Sequence, residues 1–393
     1  SRSLLRIRSL VRSQPGAQMK WTIKNLVILT RNRLFRFFYI YILKPIYFYF
    51  DPEKTHDAMV RTGSFLGHYS TTRGLISFLF SFSHPTLEQN ILNIHFPNPI
   101  GLAAGFDKDA LLTEIIPAVG FGFTEVGSIT GESCDGNMKP RLWRLKNSQA
   151  LMVYYGLKNE GCEKIALRLK GMNFKVPVGT NIAKTNSKIT VETEAGINDY
   201  VKAFRQFVDI GQYFAINISC PNAFGGEPFS NIEKLDRLLS MIDTIKTIKP
   251  IFLKLSPDLN EEQIEAILKV CEKHRVHGFI CSNLTKNKNN LKIKDAITSF
   301  QGGISGKVVD DLSLNQIRLI YQKTKGKYII IGCGGIFSAL DAYKKIKAGA
   351  SLVQIITGMI FEGPELINEI NRGLVLLLKR DGFHNIKDAI GKE

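Results

Sequence analysis

The chain has 393 residues, 44% of them hydrophobic and 22% charged, the composition of a globular protein with a large core. Six cysteines show no CxxC pair and no metal-ligand spacing with the seven histidines, which argues against a disulfide framework or a zinc site and fits a reducing compartment. The net charge of +17 is uneven, because no carboxylate occurs before Asp51.

Residues 1–18 are rich in Ser, Arg and Leu. They read either as a mitochondrial presequence or as residues ahead of a start at Met19, and residues 1–21 are set apart as a basic leader or extension. Residues 22–50 read as one aromatic helix or a broken pair. Phe35, Phe37, Phe38, Tyr39, Tyr41, Tyr47, Phe48, Tyr49 and Phe50 lie among Arg31, Arg33, Arg36 and Lys44. That mixture suits a membrane headgroup boundary better than nucleic acid, since no ribonucleoprotein-type motif follows. No run is long enough to span a bilayer cleanly, because Arg36, Lys44 and Pro45 interrupt the only candidate.

Asp51-Pro52-Glu53 is a helix start, with Asp as cap, Pro in the first position and an acid in the first turn. A helix through about Leu66 would put Ala58, Met59, Thr62, Phe65 and Leu66 on one side. A second apolar stretch runs from Leu75 to Phe82. Residues 22–83 are thus expected to form a helical module that contacts a membrane or caps the main domain.

From residue 98 onward, apolar β-prone runs alternate with helix-period segments. The runs are Pro99–Ala104, Phe121–Ile129, Val176–Ile182, Tyr213–Ser219, Ile251–Ser256, Gly278–Asn283, Tyr328–Gly332 and Ser351–Ile356. Helical segments include Glu261–Lys273, Ser313–Thr324 and Ser338–Ala348. Eight such units predict an α/β fold, a (β/α)8 TIM barrel over residues 84–393. A doubly wound sheet is the alternative, disfavoured by the lack of G-x-G-x-x-G after the first strand. Thr130 to Gly161 and Leu284 to Gly306 are overlong connections, expected to be lids or substrate loops.

The strand ends carry the chemistry. They offer Ala103, Ala104, Gly105 and Lys108; Ser128; Asn181; then Asn217, Ser219, Cys220 and Asn222; Lys254; Ser282 and Asn283. Gly302-Gly303, Gly334-Gly335 and Thr357-Gly358 follow. A lysine inside the apolar strand Phe-Leu-Lys-Leu is costly unless it has a partner. Three Gly-rich rims with strand-end lysines and asparagines describe a site for a flat, phosphate-bearing cofactor such as FMN.

Over residues 51 to 370 the sequence resembles the dihydroorotate dehydrogenases, most closely the membrane-associated, quinone-using class 2. The motifs are NPIGLAAGFDKD from Asn98, GFGFTEVGSIT from Gly120, KPRLWRL from Lys139, NISCPN from Asn217, KLSPD from Lys254, GGISG, IGCGGI, GASLVQ from Gly349 and DPEKTH from Asp51. The resemblance implies FMN held by Ala103, Ala104, Gly105, Lys108, Ser128, Asn181, Asn217, Lys254, Ser282, Gly303, Gly335 and Thr357. It implies dihydroorotate or orotate at Lys108, Asn217, Asn222 and Asn283, and a quinone head group near His56 and Arg144. It implies a peripheral protein of a bacterial or mitochondrial inner membrane, in pyrimidine synthesis. Three positions depart from class 2: Cys220 stands for the usual Ser base, Val153 for an Asn and Ile356 for a Tyr. These leave open a related flavin enzyme acting on another dihydropyrimidine-like ring, or an inactive membrane-bound barrel. Cys220 is the expected base, with Lys108 as the source of a positive field and titration near or below the free-thiol value of about 8.5.

Overall fold

The computed structural model describes residues 23–297 and 301–393, so the leader reading of residues 1–21 lies outside the described residues. Eight parallel strands close into a barrel: β1 (Ile100–Leu102), β2 (Phe123–Ile129), β3 (Val178–Ile182), β4 (Tyr213–Asn217), β5 (Ile251–Leu255), β6 (Gly278–Cys281), β7 (Ile329–Cys333) and β8 (Leu352–Ile355). Each pairs with its successor, and β8 closes on β1 through Val353 opposite Ile100 and Ile355 opposite Leu102. Near-continuous Val, Ile, Leu and Phe runs form these strands because helices cover their outer faces. Helices Glu261–Cys271, Asp310–Thr324 and Ala339–Lys347 answer the expected helical segments.

Several expected runs overshoot their strands at the carboxyl end. Ser219, Asn283 and Ala103–Ala104 leave the ladder and turn onto the rim. Pro221 has no backbone N–H to give a ladder, so β4 stops short of it.

Sequence patterning did not reveal the plug at the other end. A hairpin, Gln89–Ile91 with Ile94–Phe96, turns through Leu92 and Asn93, both left-handed (φ 51° and 62°), as a two-residue turn of this kind requires. Its Ile91 and Phe96 join Phe123, Tyr213, Phe252, Ile280 and Ile331 in one apolar layer inside the barrel. That end is filled, which leaves the carboxyl end for ligands.

The two overlong connections meet there. Leu142–Leu145 and Ala150–Val153 form an antiparallel pair, and Gly303–Ile304 adds to it with Gly303 opposite Val153. The expected lids are therefore one small sheet above the rim.

The N-terminal module is a helical hood. Helix Ile23–Phe38 continues through a π-helical stretch, Tyr39–Leu43, into helix Lys44–Tyr49, and helices Pro52–His68 and Ser70–Phe80 follow. The Asp51 side chain caps the third helix by accepting from the Lys54 N–H (2.9 Å). The side expected to be apolar is mostly outward: Ala58, Thr62 and Phe65 are exposed, and Met59 lines the central cavity. The barrel-facing side instead uses Gly63 and Gly67. A Cβ on Gly63 would lie 2.7 Å from Leu112, and one on Gly67 3.2 Å from Ile115, so small residues let the helix sit down on the barrel.

Ties at several places hold the hood. Tyr39 donates to the Ile360 carbonyl (2.7 Å) and Lys44 to that of Phe361 (2.9 Å). Arg36 pairs with Glu362, and Asn32 donates to the Asn368 side chain (2.9 Å). Among the described residues, no helix is long and apolar enough to cross a membrane.

Candidate functional site

A cavity of about 470 Å³ lies between the barrel rim, the small sheet and the hood. That is within the range of small-molecule and cofactor sites. Its wall includes Ala103, Ala104, Gly105, Lys108, Ser128, Asn217, Cys220, Asn222, Lys254, Ser282, Asn283, Gly335 and Thr357. His56 and Arg144 line it on the hood side, together with Tyr39, Leu43, Phe48 and Met59. The departing positions Val153 and Ile356 line it too.

Two expected contacts fall outside this wall. Asn181 is fully buried one step below, and Gly303 sits in the small sheet with Leu284 and Pro221 against it. Neighbouring Ser305 and Gly306 face the cavity instead.

The polar rim is cross-linked. Asn217 Nδ2 donates to Ser128 Oγ (2.9 Å), and Ser128 Oγ donates to Asn181 Oδ1. Asn283 Nδ2 donates to Asn217 Oδ1 (3.2 Å) and to the Ser219 carbonyl (2.9 Å). Asn222 Nδ2 donates to the Val153 carbonyl (2.9 Å), tying the Cys220 loop to the small sheet. Lys254 is 4% exposed, with Glu125 3.9 Å from its ammonium.

Patterning missed Glu125 and Gln354. Both are polar residues inside apolar strands, the same signal that marked Lys254, and either could have been found by it.

The donor set fits a flat polar ligand. Ser282 Oγ, Asn222 Oδ1 and Gln354 Oε1 are buried, belong to cavity-lining residues and have no hydrogen-bond partner among the described residues. Buried polar atoms in a folded protein nearly always have partners, so these three mark places where a bound molecule supplies them. A Cβ on Gly105 would meet nothing within 4 Å, leaving room for a ring to approach the backbone.

The cations that act most on Cys220 are Lys184 and Lys254, rather than the expected Lys108. The Lys108 ammonium lies 2.9 Å from His56 Nε2 and 4.1 Å from the Tyr155 ring centre, so it joins the barrel rim to the hood. Burial lowers Lys108 to about 8, and burial with the charges of Lys108 and Lys158 lowers His56 well below its usual value. His56 is therefore neutral at pH 7 and accepts from Lys108. Arg144 donates to the Phe50 carbonyl (2.8 Å) and lies over the Phe48 ring, 4.7 Å from its centre.

Burial pushes the Cys220 thiol up to about 11. A backbone hydrogen bond from Asn222 and the ammoniums of Lys184 and Lys254 oppose that rise, and the Glu227 carboxylate adds to it. The expected titration near or below 8.5 is thus corrected upward, because desolvation of the thiolate outweighs the nearby cations. Lys184 also holds the loop after β4, donating to the Phe224 carbonyl (2.7 Å).

Comparison with known proteins agrees with this arrangement. The family model of dihydroorotate dehydrogenase matches residues 86–378. The dihydroorotate dehydrogenase (quinone) of Trichodesmium erythraeum is 38% identical over 358 residues, covering 87% of this chain and 94% of that protein. The protein of the same name from Nostoc punctiforme is 39% identical over 357 residues, with the same coverage. Among solved structures, the DHODH of Eimeria tenella in complex with ferulenol superposes with a TM-score of 0.78 at 28% identity, covering 87% of this chain and 95% of that one. With the family model matched over residues 86–378 and relatives of that name 38–39% identical over most of the chain, the chain belongs to the dihydroorotate dehydrogenase family, in its class 2.

Proposed function

We propose that this protein oxidises (S)-dihydroorotate to orotate at the rim of the barrel, with FMN as the acceptor and a membrane quinone as the final oxidant. The supporting observation is the single cavity that joins Cys220, Asn217, Asn222, Asn283 and Lys254 at the rim to His56 and Arg144 under the hood. FMN, when bound, supplies a two-electron acceptor for the hydride leaving C6 of the substrate. Cys220 takes the C5 proton, which is acidified by the neighbouring carbonyl. Asn217, Asn222 and Asn283 present amide edges that match the ring's alternating carbonyl and N–H groups. Ala103, Ala104, Gly105, Ser128, Lys254, Ser282, Gly335 and Thr357 hold the cofactor, with Lys254 offering positive charge to its pyrimidine edge. The purified protein is expected to be yellow and to bleach when dihydroorotate is added without oxygen. A colourless protein, or a yellow one unmoved by dihydroorotate, would overturn this reading.

The hood is the membrane-facing part on this reading. Leu34, Phe37, Tyr41, Tyr49, Phe65, Leu75 and Phe78 are all at least 60% exposed, large apolar side chains of the kind that marks an interaction surface when clustered. Basic Arg33 is exposed among them. Replacing Phe37 and Phe78 together by serine is expected to release the protein from anionic lipid vesicles in a sedimentation assay, while bleaching by dihydroorotate persists. Undiminished vesicle binding would place the contact elsewhere.

A further inference from the structure

Beneath the cavity floor, Glu125 of β2 is fully buried in the barrel interior. Its carboxylate accepts from Asn181 Nδ2 (2.7 Å), from Gln354 Nε2 (2.7 Å) and from the Tyr213 hydroxyl (3.4 Å). The Lys254 ammonium is 3.9 Å away. An isolated carboxylate at such depth is costly, so its presence calls for an account.

A carboxylate only accepts, so each neighbour must turn a donor toward it. With its NH2 pointing down to Glu125, Asn181 has its carbonyl left for Ser128, and the Ser128 hydroxyl donates there. That hydroxyl, its hydrogen committed, accepts from Asn217 Nδ2 (2.9 Å). The Asn217 carbonyl then accepts from Asn283 Nδ2 (3.2 Å). One buried charge thereby reaches side chains borne by β2, β3, β4 and the end of β6, alongside the backbone N–H groups of Ser219 and Leu284, which donate to the Asn217 (3.2 Å) and Asn283 (2.9 Å) carbonyls. Chains of this kind polarise in one direction in a low-dielectric interior.

We propose that Glu125 is a positioning residue. It orients Asn181, Ser128 and Asn217 through this chain, and it sets the field of Lys254 at the flavin. The proposal rests on the reading of the cavity as the FMN and dihydroorotate site.

Two variants of the FMN-loaded protein test it. Glu125→Gln removes the charge beside Lys254 and offers a donor where only an acceptor stood. The flavin midpoint potential, read by spectral titration, is expected to move positive, and the orotate dissociation constant to rise about tenfold, the loss of one well-made hydrogen bond. Asn181→Leu cuts the chain but keeps the charge beside Lys254. Orotate binding is expected to weaken by a similar factor, with a potential near that of the wild type. Glu125→Asp keeps the charge and should keep the potential. If Glu125→Gln does not accumulate as folded protein, the orotate affinity of Asn181→Leu decides alone. An unchanged potential in folded Glu125→Gln, or unchanged orotate affinity in Asn181→Leu, overturns the proposal. A wild-type protein that binds neither FMN nor orotate would instead overturn the reading of the cavity.

Discussion

Cys220→Ala is expected to slow bleaching of the flavin by dihydroorotate about 10²–10⁴-fold, the usual contribution of a general base, while FMN content and orotate binding persist. Cys220 follows the end of β4 and lines the cavity beside Asn217 and Asn222. Its thiol is pushed up to about 11, mainly by burial. A base works only when deprotonated. At pH 7 the thiolate is therefore a small fraction, and that fraction grows as pH rises toward 11. The rate of flavin reduction is expected to climb across the range from pH 7 to 10 without levelling off near 8.5. Cys220→Ser should keep some activity and shift the climb further upward, since a hydroxyl ionises far above a thiol. Lys184 and Lys254 favour the thiolate and Glu227 opposes it, so removing Glu227 should act in the reverse direction to removing either lysine. A Cys220→Ala protein that reduces its flavin at the wild-type rate would remove Cys220 as the base.

The barrel was legible because its strands are short, apolar and evenly spaced, and because each ends in polar residues that cannot remain in a buried ladder. Tyr213–Asn217 and Ile251–Leu255 agree with the expected runs to within two residues. Two kinds of feature were not legible. The hairpin Gln89–Ile91 with Ile94–Phe96 is too short to show a period, and only its place in the barrel interior gives it meaning. The partners of charged groups are set by pairs far apart in sequence. Lys108 reads as a rim lysine, yet it meets His56, 52 residues earlier, and the cations that face Cys220 come from other segments. The outward turn of Ala58, Thr62 and Phe65 has the same origin. An apolar stripe shows that a helix has an oily side, but Gly63 and Gly67 show which side lies against the barrel.

One of the ties that hold the hood is a buried ion pair, and breaking it should separate the two halves of the reaction. Glu53 in the first turn of helix Pro52–His68 and Arg141 beside the small sheet are both 4% exposed. Arg141 Nη2 donates to Glu53 Oε1 (2.8 Å), and Arg141 also donates to the carbonyls of Asp135 (2.6 Å) and Asn137 (2.7 Å). Lys139 lies 3.2 Å from the same carboxylate. Glu53→Ala leaves a buried guanidinium without its counter-ion, a change that typically costs about 3–5 kcal/mol. The cost falls on the docking of the hood, because Glu53 lies in the hood and Arg141 on the barrel side. Rate measurements should therefore divide. Bleaching by dihydroorotate, which needs only the rim, is expected to remain near wild type, while electron transfer to a long-chain quinone is lost. The pair also gives a pH dependence of known sign. Burial pushes the Glu53 carboxyl up, but hydrogen bonds and charge from Arg141 and Lys139 outweigh it and hold the carboxyl below its ordinary 4.5. A depressed carboxyl stabilises the folded state at pH above its unfolded value and loses that contribution as pH falls through the folded one. Quinone reduction in the wild type should thus fail reversibly only as pH falls below the ordinary carboxyl value of 4.5, before the barrel unfolds. Glu53→Ala protein should show the failure already at pH 7. Full quinone reduction by Glu53→Ala at neutral pH would mean that the remaining ties, at Arg36, Tyr39 and Lys44, hold the hood without it.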